Sequence, residues 1–313
     1  MRYCIGIDLG GTNIAGGIAD LDGKLLLTDS IKTGLPCPAS DIADRIALLC
    51  RRMATALGLA LSDAAWVGIG APGSVDVDTG TVLYANNLEF DNVPLGQMIH
   101  ERTGLPVYVD NDANVAAWGE YCAGAGKGSS SMVMVTLGTG VGGGVIVNGK
   151  VIDGAHGAGG EIGHITVDPH ETAVCGCGKR GCLEQYSSAT GVVRCMKKLL
   201  DENPEVECVL RGTDFAAKDV FDAARNGDAL ASREVEDMSN TLGMALASIA
   251  STTDPEMFLV GGGVARAGDV LFDPLVKHFK EYAFRSCREI PIKAASLGND
   301  AGIYGAVRLI VGE

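Results

Sequence analysis

The stretch from Gly163 to Tyr186 reads GHITVDPHETAVCGCGKRGCLEQY and is dense in residue types that bind metals. Cys175, Cys177 and Cys182 fall within eight residues, and His164 lies eleven residues before the first of them. The intervening glycines let the backbone turn tightly enough to aim three sulfur atoms at one point. The alternative is three buried thiols beside a surface histidine, but so glycine-rich a segment makes a poor core. We therefore predict a closed zinc site with these four ligands.

Composition narrows the class of protein. The chain has 313 residues, enough for two domains that each bury a core. With 25 basic and 39 acidic side chains, its net charge of -14 argues against a nucleic-acid partner, which would need a basic patch. The beginning of the chain does not resemble a signal peptide. The longest uncharged run, residues 128–149, alternates like paired strands rather than a membrane helix. We expect a cytoplasmic protein with reduced thiols and no membrane partner.

Two stretches predict glycine-rich hairpins. The apolar run Tyr3–Asp8 leads into Gly10, Gly11, Thr12 and Asn13, and strands are predicted over residues 14–19 and 24–31. The strand over residues 132–137 leads into Gly138, Thr139 and Gly140, with a further strand over 145–148. Glycine amides and a threonine hydroxyl are suitable phosphate donors, although each could be an ordinary hairpin.

Two nucleotide-binding motifs are rejected. A GxGxxG match at residues 138–143 is followed by a strand rather than a helix. Residues 144–151 resemble a P-loop, but Val151 stands where a serine or threonine would hold magnesium.

The remaining predicted elements are helices over 39–59, 94–102, 189–202, 216–226, 229–251, 272–284 and 299–311, and strands over 66–70, 256–260 and 292–295.

Another informative stretch is the strand that ends in Asp110, Asn111 and Asp112, directly before a helix. Polar residues at such a junction suit a functional loop, but Asn and Asp are also preferred helix N-caps. The two roles are compatible, so both stay open at this point.

The run from Cys175 to Ser188, preceded by Gly157-Ala-Gly-Gly-Glu161-Ile-Gly-His164, resembles the signature of the ROK (repressor, open reading frame, kinase) family of sugar kinases and sugar-responsive regulators. The resemblance extends from Ile5 to the C-terminus, and residues 156–164 and 184–191 are most similar to bacterial glucokinases of the family. It implies an α/β fold, the two-domain actin-like ATPase (ribonuclease H-like) fold, with the active site in the interdomain cleft. The expected domains are 1–112, completed by a C-terminal helix over 299–313, and a larger zinc-containing domain over 113–298.

The resemblance also implies roles for individual residues. Asp112 matches the catalytic base, Asp8 matches a ligand of Mg²⁺, and Asn13 stands where some relatives carry a lysine. His164 would be shared between zinc and sugar. The positions that match sugar-binding residues are Gly73, Asn87, Asn111, Asp112, Glu161, His164 and Glu184. Those that match nucleotide-binding residues are Asp8, Gly10, Gly11, Thr12, Asn13, Gly138, Thr139, Gly140, Gly261, Gly262 and Gly263, the last three beside adenine and ribose.

The function implied is ATP-dependent phosphorylation of the 6-hydroxyl of a hexose, with glucose as the expected substrate. The alternatives are a kinase for N-acetylmannosamine, allose or fructose, and a sugar-sensing regulator of the same family. A regulator would carry a DNA-binding domain ahead of the Asp8 hairpin, where the sequence has seven residues. The resemblance implies a homodimer or a higher homo-oligomer, since dimers are the usual form of the family.

Overall fold

A computed structural model describes residues 1–309 as a mixed α/β structure. Its strands are β1 (Tyr3–Leu9), β2 (Asn13–Asp20), β3 (Leu25–Lys32), β4 (Ala64–Ala71), β5 (Ser74–Asp76), β6 (Thr81–Ala85), β7 (Phe90–Val93), β8 (Val107–Asn111), β9 (Met132–Leu137), β10 (Val141–Val147), β11 (Lys150–Val151), β12 (Met257–Gly261) and β13 (Ile292–Ala294). Its α-helices are α1 (Ala39–Ala56), α2 (Leu95–Thr103), α3 (Asp112–Ala123), α4 (Glu184–Ser187), α5 (Ala189–Glu202), α6 (Ala217–Arg225), α7 (Ala229–Thr253), α8 (Asp269–Tyr282) and α9 (Ala301–Ala306).

Helix α5 has its predicted bounds, and the other helices predicted by residue range differ from their predictions. The difference is one or two residues at the ends of α2, α6 and α7, and α1 ends at Ala56 rather than at 59. Helix α8 begins at Asp269 rather than at 272, because the carbonyl of Gly268 already accepts from the amides of Leu271 and Phe272. The last helix, predicted over 299–311, is α-helical only over Ala301–Ala306, after a 3₁₀ turn. Residues 310 and 311 of that prediction lie outside the described residues. No helix within residues 1–309 combines the length and apolar composition needed to cross a membrane.

The strands form three sheets. Their orders are β3-β2-β1-β4-β8, β11-β10-β9-β12-β13 and β5-β6-β7. In the first sheet β1, β4 and β8 are parallel, and in the second β9, β12 and β13 are parallel. The small antiparallel sheet β5-β6-β7 was not predicted from the sequence, which indicated only a turn-rich loop there.

The chain divides into two compact units. Of the described residues, unit 1 comprises 1–130, 144–160 and 296–309, and unit 2 comprises 131–143 and 161–295. Residues 113–130 lie in unit 1, where α3 packs closely on α9. Residues 144–160 also lie in unit 1, where Gly144 packs against α3. The domain boundaries proposed from the sequence stay a prediction.

Unit 1 packs helices on both faces of its sheet. On one face α1 buries Ile46, Leu49 and Met53, and a Cβ at Gly16 of β2 would meet the last two. On the other face α9 approaches so closely that a Cβ at Gly68 of β4 would clash with the carbonyl of Ala306. This packing fixes the carboxyl ends of β1, β4 and β8 in one rigid layer.

Unit 2 is organised around the 25-residue helix α7, which packs against α5, α6 and α8. Phe258 of β12 and Phe279 of α8 meet edge to face, with ring centroids 5.6 Å apart. Both rings are fully buried, so they join the parallel strands to the helical layer. The loops that follow β9 and β12 are thereby held at one edge of the sheet.

Candidate active site and metal cluster

In unit 1 the candidate residues gather where parallel strands end. Asp8 of β1 and Asp110 of β8 both pair in register with Gly70 of the intervening β4. Asn111 and Asp112 follow directly, at the junction of β8 with α3. The sequence thus brings three carboxylates and an amide to the carboxyl edge of the sheet, the usual position of sites in α/β folds.

Asp8 lies close enough to Asp112 for the two charges to interact. Burial, together with the negative charge of Asp112, raises the pKa of Asp8 to about 6. A bound cation would relieve this repulsion and favour the carboxylate form of Asp8. Two neighbouring carboxylates are suitable ligands for a divalent cation.

Asn111 is the N-cap of α3, so the cap alternative raised by the sequence is correct for this residue. Its Oδ1 accepts from the amides of Ala113 at 2.9 Å and Asn114 at 3.1 Å. Its Nδ2 donates to the carbonyl of Gly73 at 2.9 Å. These bonds fix the side chain and tie the loop after β4 to the start of α3, so two predicted sugar-binding positions contact each other.

The first glycine-rich turn is held by Thr33, the residue directly after β3. The amide of Gly10 donates to the carbonyl of Asn13 at 3.0 Å. Thr33 donates its hydroxyl to the carbonyl of Gly10 at 2.6 Å and its amide to the carbonyl of Thr12 at 3.0 Å. Thr12 and Asn13 remain exposed, so their donors face outward from a fixed turn. Thr33 was not singled out from the sequence.

Sequence reasoning also missed a buried polar group behind Asn111. Asn114 is 3% exposed, and its Nδ2 donates to Asp110 Oδ1 at 3.3 Å and to Asp153 Oδ1 at 3.2 Å. Burial and the nearby Asp153 raise the pKa of Asp110 to about 7. A polar residue among the apolar residues of α3 was the available signal. Asn114 thereby ties α3 to the loop after β11.

In unit 2 the second glycine-rich turn, Gly138 to Gly140, is held by the start of α5. The amide of Ala189 donates to the carbonyl of Gly138 at 2.8 Å, and the hydroxyl of Thr190 donates to the carbonyl of Thr139 at 2.7 Å. These bonds turn the carbonyls toward α5. A Cβ at Gly138 would meet no atom within 4 Å, so the turn borders open space.

The three-glycine segment Gly261–Gly263 lies beside that turn. Its strand β12 is the parallel neighbour of β9, with Gly261 opposite Thr136. Gly262 has φ +84, and a Cβ there would clash with the carbonyl of Leu137. The structure therefore brings together within unit 2 the two segments predicted to bind phosphate and adenine.

Glu184, the first residue of α4, links the second turn to the cysteines. Its Oε2 accepts from the amide of Val141 at 3.1 Å, and its Oε1 lies 3.6 Å from Cys175 Sγ. A Cβ at Gly140 would clash with Glu184 Oε2, so the glycine makes room for the carboxylate. The predicted sugar-binding carboxylate thus contacts the predicted phosphate-binding turn.

The predicted metal ligands converge. One ligand atom from each of His164, Cys175, Cys177 and Cys182 lies within 4.8 Å of all the others. The Sγ atoms of Cys177 and Cys182 are 3.7 Å apart, and Cys175 Sγ is 3.8 Å from His164 Nδ1. A tetrahedral zinc ion with Zn–S bonds near 2.3 Å needs sulfur atoms about 3.8 Å apart. The four side chains therefore fit zinc, while all three cysteines are free thiols.

A small hairpin presents these cysteines. The amide of Cys175 donates to the carbonyl of Lys179 at 2.7 Å, and that of Gly178 donates to the carbonyl of Cys175 at 2.8 Å. Gly178 has φ +85, a conformation that favours glycine. Burial, followed by its contacts with the other thiols, raises the pKa of Cys182 to about 12. A metal ion would replace the proton of such a thiol.

His164 points in two directions. Its Nδ1 faces Cys175, and its Nε2 lies 3.8 Å from Glu161 Oε2. A carboxylate beside the second ring nitrogen is the usual partner of a metal-bound histidine. Glu161 and His164 are both partly exposed, so they remain accessible to a ligand.

Comparison with known proteins shows which family the chain resembles. The model of the ROK family matches residues 4–313. The glucokinase of Halalkalibacterium halodurans is 41% identical over 99% of this chain and 95% of its own. The N-acetylmannosamine kinase of Escherichia coli is 33% identical over 99% and 98%. The ROK family glucokinase of Streptomyces griseus, solved with glucose and AMPPNP, is 39% identical, has a TM-score of 0.81 and covers 98% of both chains.

These matches confirm the predicted fold. The similarity spans both compact units and includes every segment from which the family was inferred, from the Asp8 hairpin to Gly263. The fold is that of the two-domain actin-like ATPases, as the resemblance implied. The chain belongs to the ROK family.

Proposed function

We propose that the protein is a sugar kinase that transfers the γ-phosphoryl group of ATP to the 6-hydroxyl of a hexose, with glucose as the preferred acceptor. The single observation that carries this proposal is the 39% identity, over 98% of both chains, to a glucokinase solved with glucose and AMPPNP. The convergent carboxylates of unit 1 and the glycine-rich turns supply the chemistry that this reaction needs.

Asp112 is the proposed base. It would accept the proton of the 6-hydroxyl as the phosphorus–oxygen bond forms, and ADP would leave with the electrons of the broken bond. Asn111, fixed by its cap bonds and by Gly73, would hold a sugar hydroxyl beside it. Asp8, with its raised pKa, is suited to hold Mg²⁺ directly or through water. When bound, this ion neutralises charge on the phosphates. Asn13 stands where some relatives carry a lysine, so more of the charge neutralisation would fall to the metal.

Phosphate and nucleotide binding is assigned to backbone amides. The amides of Gly11, Thr12, Thr139 and Gly140 would donate to phosphate oxygens, as glycine-rich turns do elsewhere. The amides of Gly10 and Gly138 donate to the carbonyls of Asn13 and Gly140, so these two glycines and Asn13 would shape the turns that present the donors. Gly261 to Gly263 would lie against adenine and ribose, since small residues permit close approach of a flat ring. The rigid attachment of the second turn to α5 supports this assignment, because catalysis of phosphoryl transfer depends on positioning.

Sugar recognition is assigned to one glycine and five polar side chains. They are Gly73, Asn87, Asn111, Glu161, His164 and Glu184. Carboxylates and an imidazole offer several acceptors, which suits the ring of hydroxyls on a hexose.

The Cys₃His cluster is proposed to hold one structural zinc ion through His164, Cys175, Cys177 and Cys182. The fit rests on the interatomic distances within the cluster and on its thiol-rich donor set. When bound, zinc cross-links the hairpin and fixes the imidazole of His164.

We also propose a cytoplasmic location, which the ten free cysteines support. A homodimer or a higher homo-oligomer is proposed from the family resemblance.

A sugar panel tests the proposed function. ADP release is measured with purified protein, ATP and Mg²⁺ against glucose, fructose, allose and N-acetylmannosamine, and the product is identified by phosphorus NMR. We expect the highest kcat/KM with glucose and phosphate on O6. A higher kcat/KM with N-acetylmannosamine would leave the assignment as a sugar kinase intact and change the assigned substrate. A protein that binds sugars but releases no ADP with any of them would contradict the proposal and favour a sensor.

A further inference from the structure

A polar network joins the cysteine segment to helices α4 and α5. Tyr186 Oη of α4 lies 2.9 Å from Asp168 Oδ2 and 2.9 Å from Glu171 Oε2, and can donate its proton to either carboxylate. Glu171 also accepts from the amides of Thr172 at 2.8 Å and Ala173 at 2.9 Å. The tyrosine therefore fastens the loop that precedes Cys175 to α4.

Arg194 of α5 completes this network. Its Nη1 lies 3.0 Å from Glu171 Oε2, and its Nη2 donates to the carbonyl of Gln185 at 2.9 Å. Its guanidinium also covers the ring of Tyr186, 5.3 Å from the centroid. Only 12% of the Glu171 side chain is exposed, so the ion pair is partly shielded from solvent.

The network contains residues that precede the metal hairpin in the chain and residues that follow it. Asp168 and Glu171 precede Cys175 along the chain, whereas Tyr186 follows Cys182 and comes two residues after Glu184. Gln185 adds two bonds between the start of α4 and the cysteine segment. Its Oε1 accepts from the amide of Cys182 at 3.1 Å, and its Nε2 donates to the carbonyl of Ala173 at 3.0 Å. The residues that end the hairpin and begin α4 are thus held as one block.

We propose that Glu171, Tyr186 and Arg194 form a latch that positions Glu184 and His164 for the sugar. This inference rests on the proposed function, since it concerns the same site. The three are positioning residues: they hold the cysteine segment and the first turn of α4, which carry the groups assigned to the substrate. Mutation of residues hydrogen-bonded to a metal's ligands changes metal affinity or activity by roughly 10–100-fold. The latch lies one contact further out, so we take the lower end of that range.

The latch stays ionised across ordinary assay conditions. The hydrogen bond from Ala173, together with those from Tyr186 and Arg194, lowers the pKa of Glu171 to about 2. A lowered carboxyl pKa adds stability above the ordinary value, and this stability is lost only as the pH falls toward 2. A pH change between 6 and 9 therefore leaves the latch intact, and substitution is the way to open it.

The test compares Arg194→Ala with Lys198→Ala. Lys198 lies one turn later on the same helix, with 70% of its side chain exposed and a 3.8 Å pair to Glu202. We measure hydrogen exchange of the peptide covering residues 166–186, KM for glucose, KM for ATP and kcat. For Arg194→Ala we expect faster exchange and a rise of roughly tenfold or more in KM for glucose, with KM for ATP within about threefold. Lys198→Ala should match the wild type.

Two milder variants keep the test decisive if Arg194→Ala folds poorly. Arg194→Lys keeps the charge but loses the planar guanidinium that contacts Glu171 and the carbonyl of Gln185 together, and Tyr186→Phe removes only the hydroxyl. Both should show the same changes to a smaller degree. Unchanged exchange would overturn the latch, and faster exchange with unchanged KM for glucose, or equal rises in both KM values, would overturn its positioning role. If the wild type phosphorylates no sugar, the proposed function fails, whereas the exchange measurement still decides whether the latch exists.

Discussion

Gly140 is the residue of the second glycine-rich turn that lies against Glu184, so one methyl group there tests whether the position of Glu184 governs sugar affinity. A Cβ at Gly140 would clash with Glu184 Oε2, the oxygen that accepts from the amide of Val141 at 3.1 Å. A Cβ at Gly138, two residues earlier in the same turn, would meet nothing within 4 Å. Neither glycine has a positive φ. Alanine therefore fits the backbone at both positions and disturbs Glu184 at only one of them.

The expected loss follows from the displaced bond. In Gly140→Ala the carboxylate must swing away from Val141, and a hydrogen bond to a charged group contributes about 1.5–3 kcal/mol. At about 1.4 kcal/mol per factor of ten, this corresponds to a rise of roughly 10–150-fold in KM for glucose. In Gly138→Ala the methyl group enters the open space assigned to phosphate, so KM for ATP should rise and KM for glucose should change little.

Steady-state kinetics with each substrate varied in turn, together with glucose titration by calorimetry, measures both effects. Thermal unfolding of the two variants controls for loss of fold. A Gly140→Ala protein with wild-type KM for glucose would refute the argument that the position of Glu184 governs sugar affinity. Equal rises of both KM values in both variants would show that the turn acts as one unit.

Further predictions concern the metal and one buried carboxyl group. The wild type should contain about one zinc per chain, and Cys177→Ala should lose that metal together with glucose affinity, while KM for ATP changes much less. Metal analysis and glucose titration check this, and a metal-free wild type with normal glucose affinity would contradict it. Glu234 of α7 is 4% exposed, and burial, followed by the charge of Asp237, raises its pKa from 4.5 to about 8. A raised carboxyl pKa means that the free energy of unfolding falls as the pH rises between these two values. Glu234→Gln should therefore be more stable than the wild type at pH 9 and similar to it at pH 4.5. The difference at pH 9 is at most about 5 kcal/mol, at about 1.4 kcal/mol per pKa unit. Equal thermal midpoints of the two proteins at pH 9 would contradict the shift.

Local patterns were sufficient to predict much of the fold. Helix α5 was predicted with its observed bounds, because Ser188 supplies an N-cap that accepts from the amide of Gly191 and the apolar positions follow a helical period. The convergence of the Cys₃His side chains was also predicted, since three of them lie within one short glycine-rich hairpin. Here the spacing along the sequence nearly determines the spacing in space.

Contacts between segments far apart in the chain could not be predicted from local sequence patterns. The contact of Glu184 with Val141 spans 43 residues, and the bond from Thr190 to Thr139 spans 51. Nothing in the local sequence marks either residue as a partner of the second turn. Sheet β5-β6-β7 was missed because its first strand has only three residues, and turn-forming residues around it dominate the pattern.

The kinetics of Asp112→Asn show whether Asp112 is the catalytic base. The substitution keeps the size of the side chain and removes its ability to accept the proton of the 6-hydroxyl. We predict that kcat falls by at least ~10²-fold, the lower end of a general-base contribution, while the Kd for glucose measured by calorimetry stays within about threefold of the wild type. Turnover near that of the wild type would contradict the assignment of Asp112 as the base, and with it the mechanism proposed for this protein.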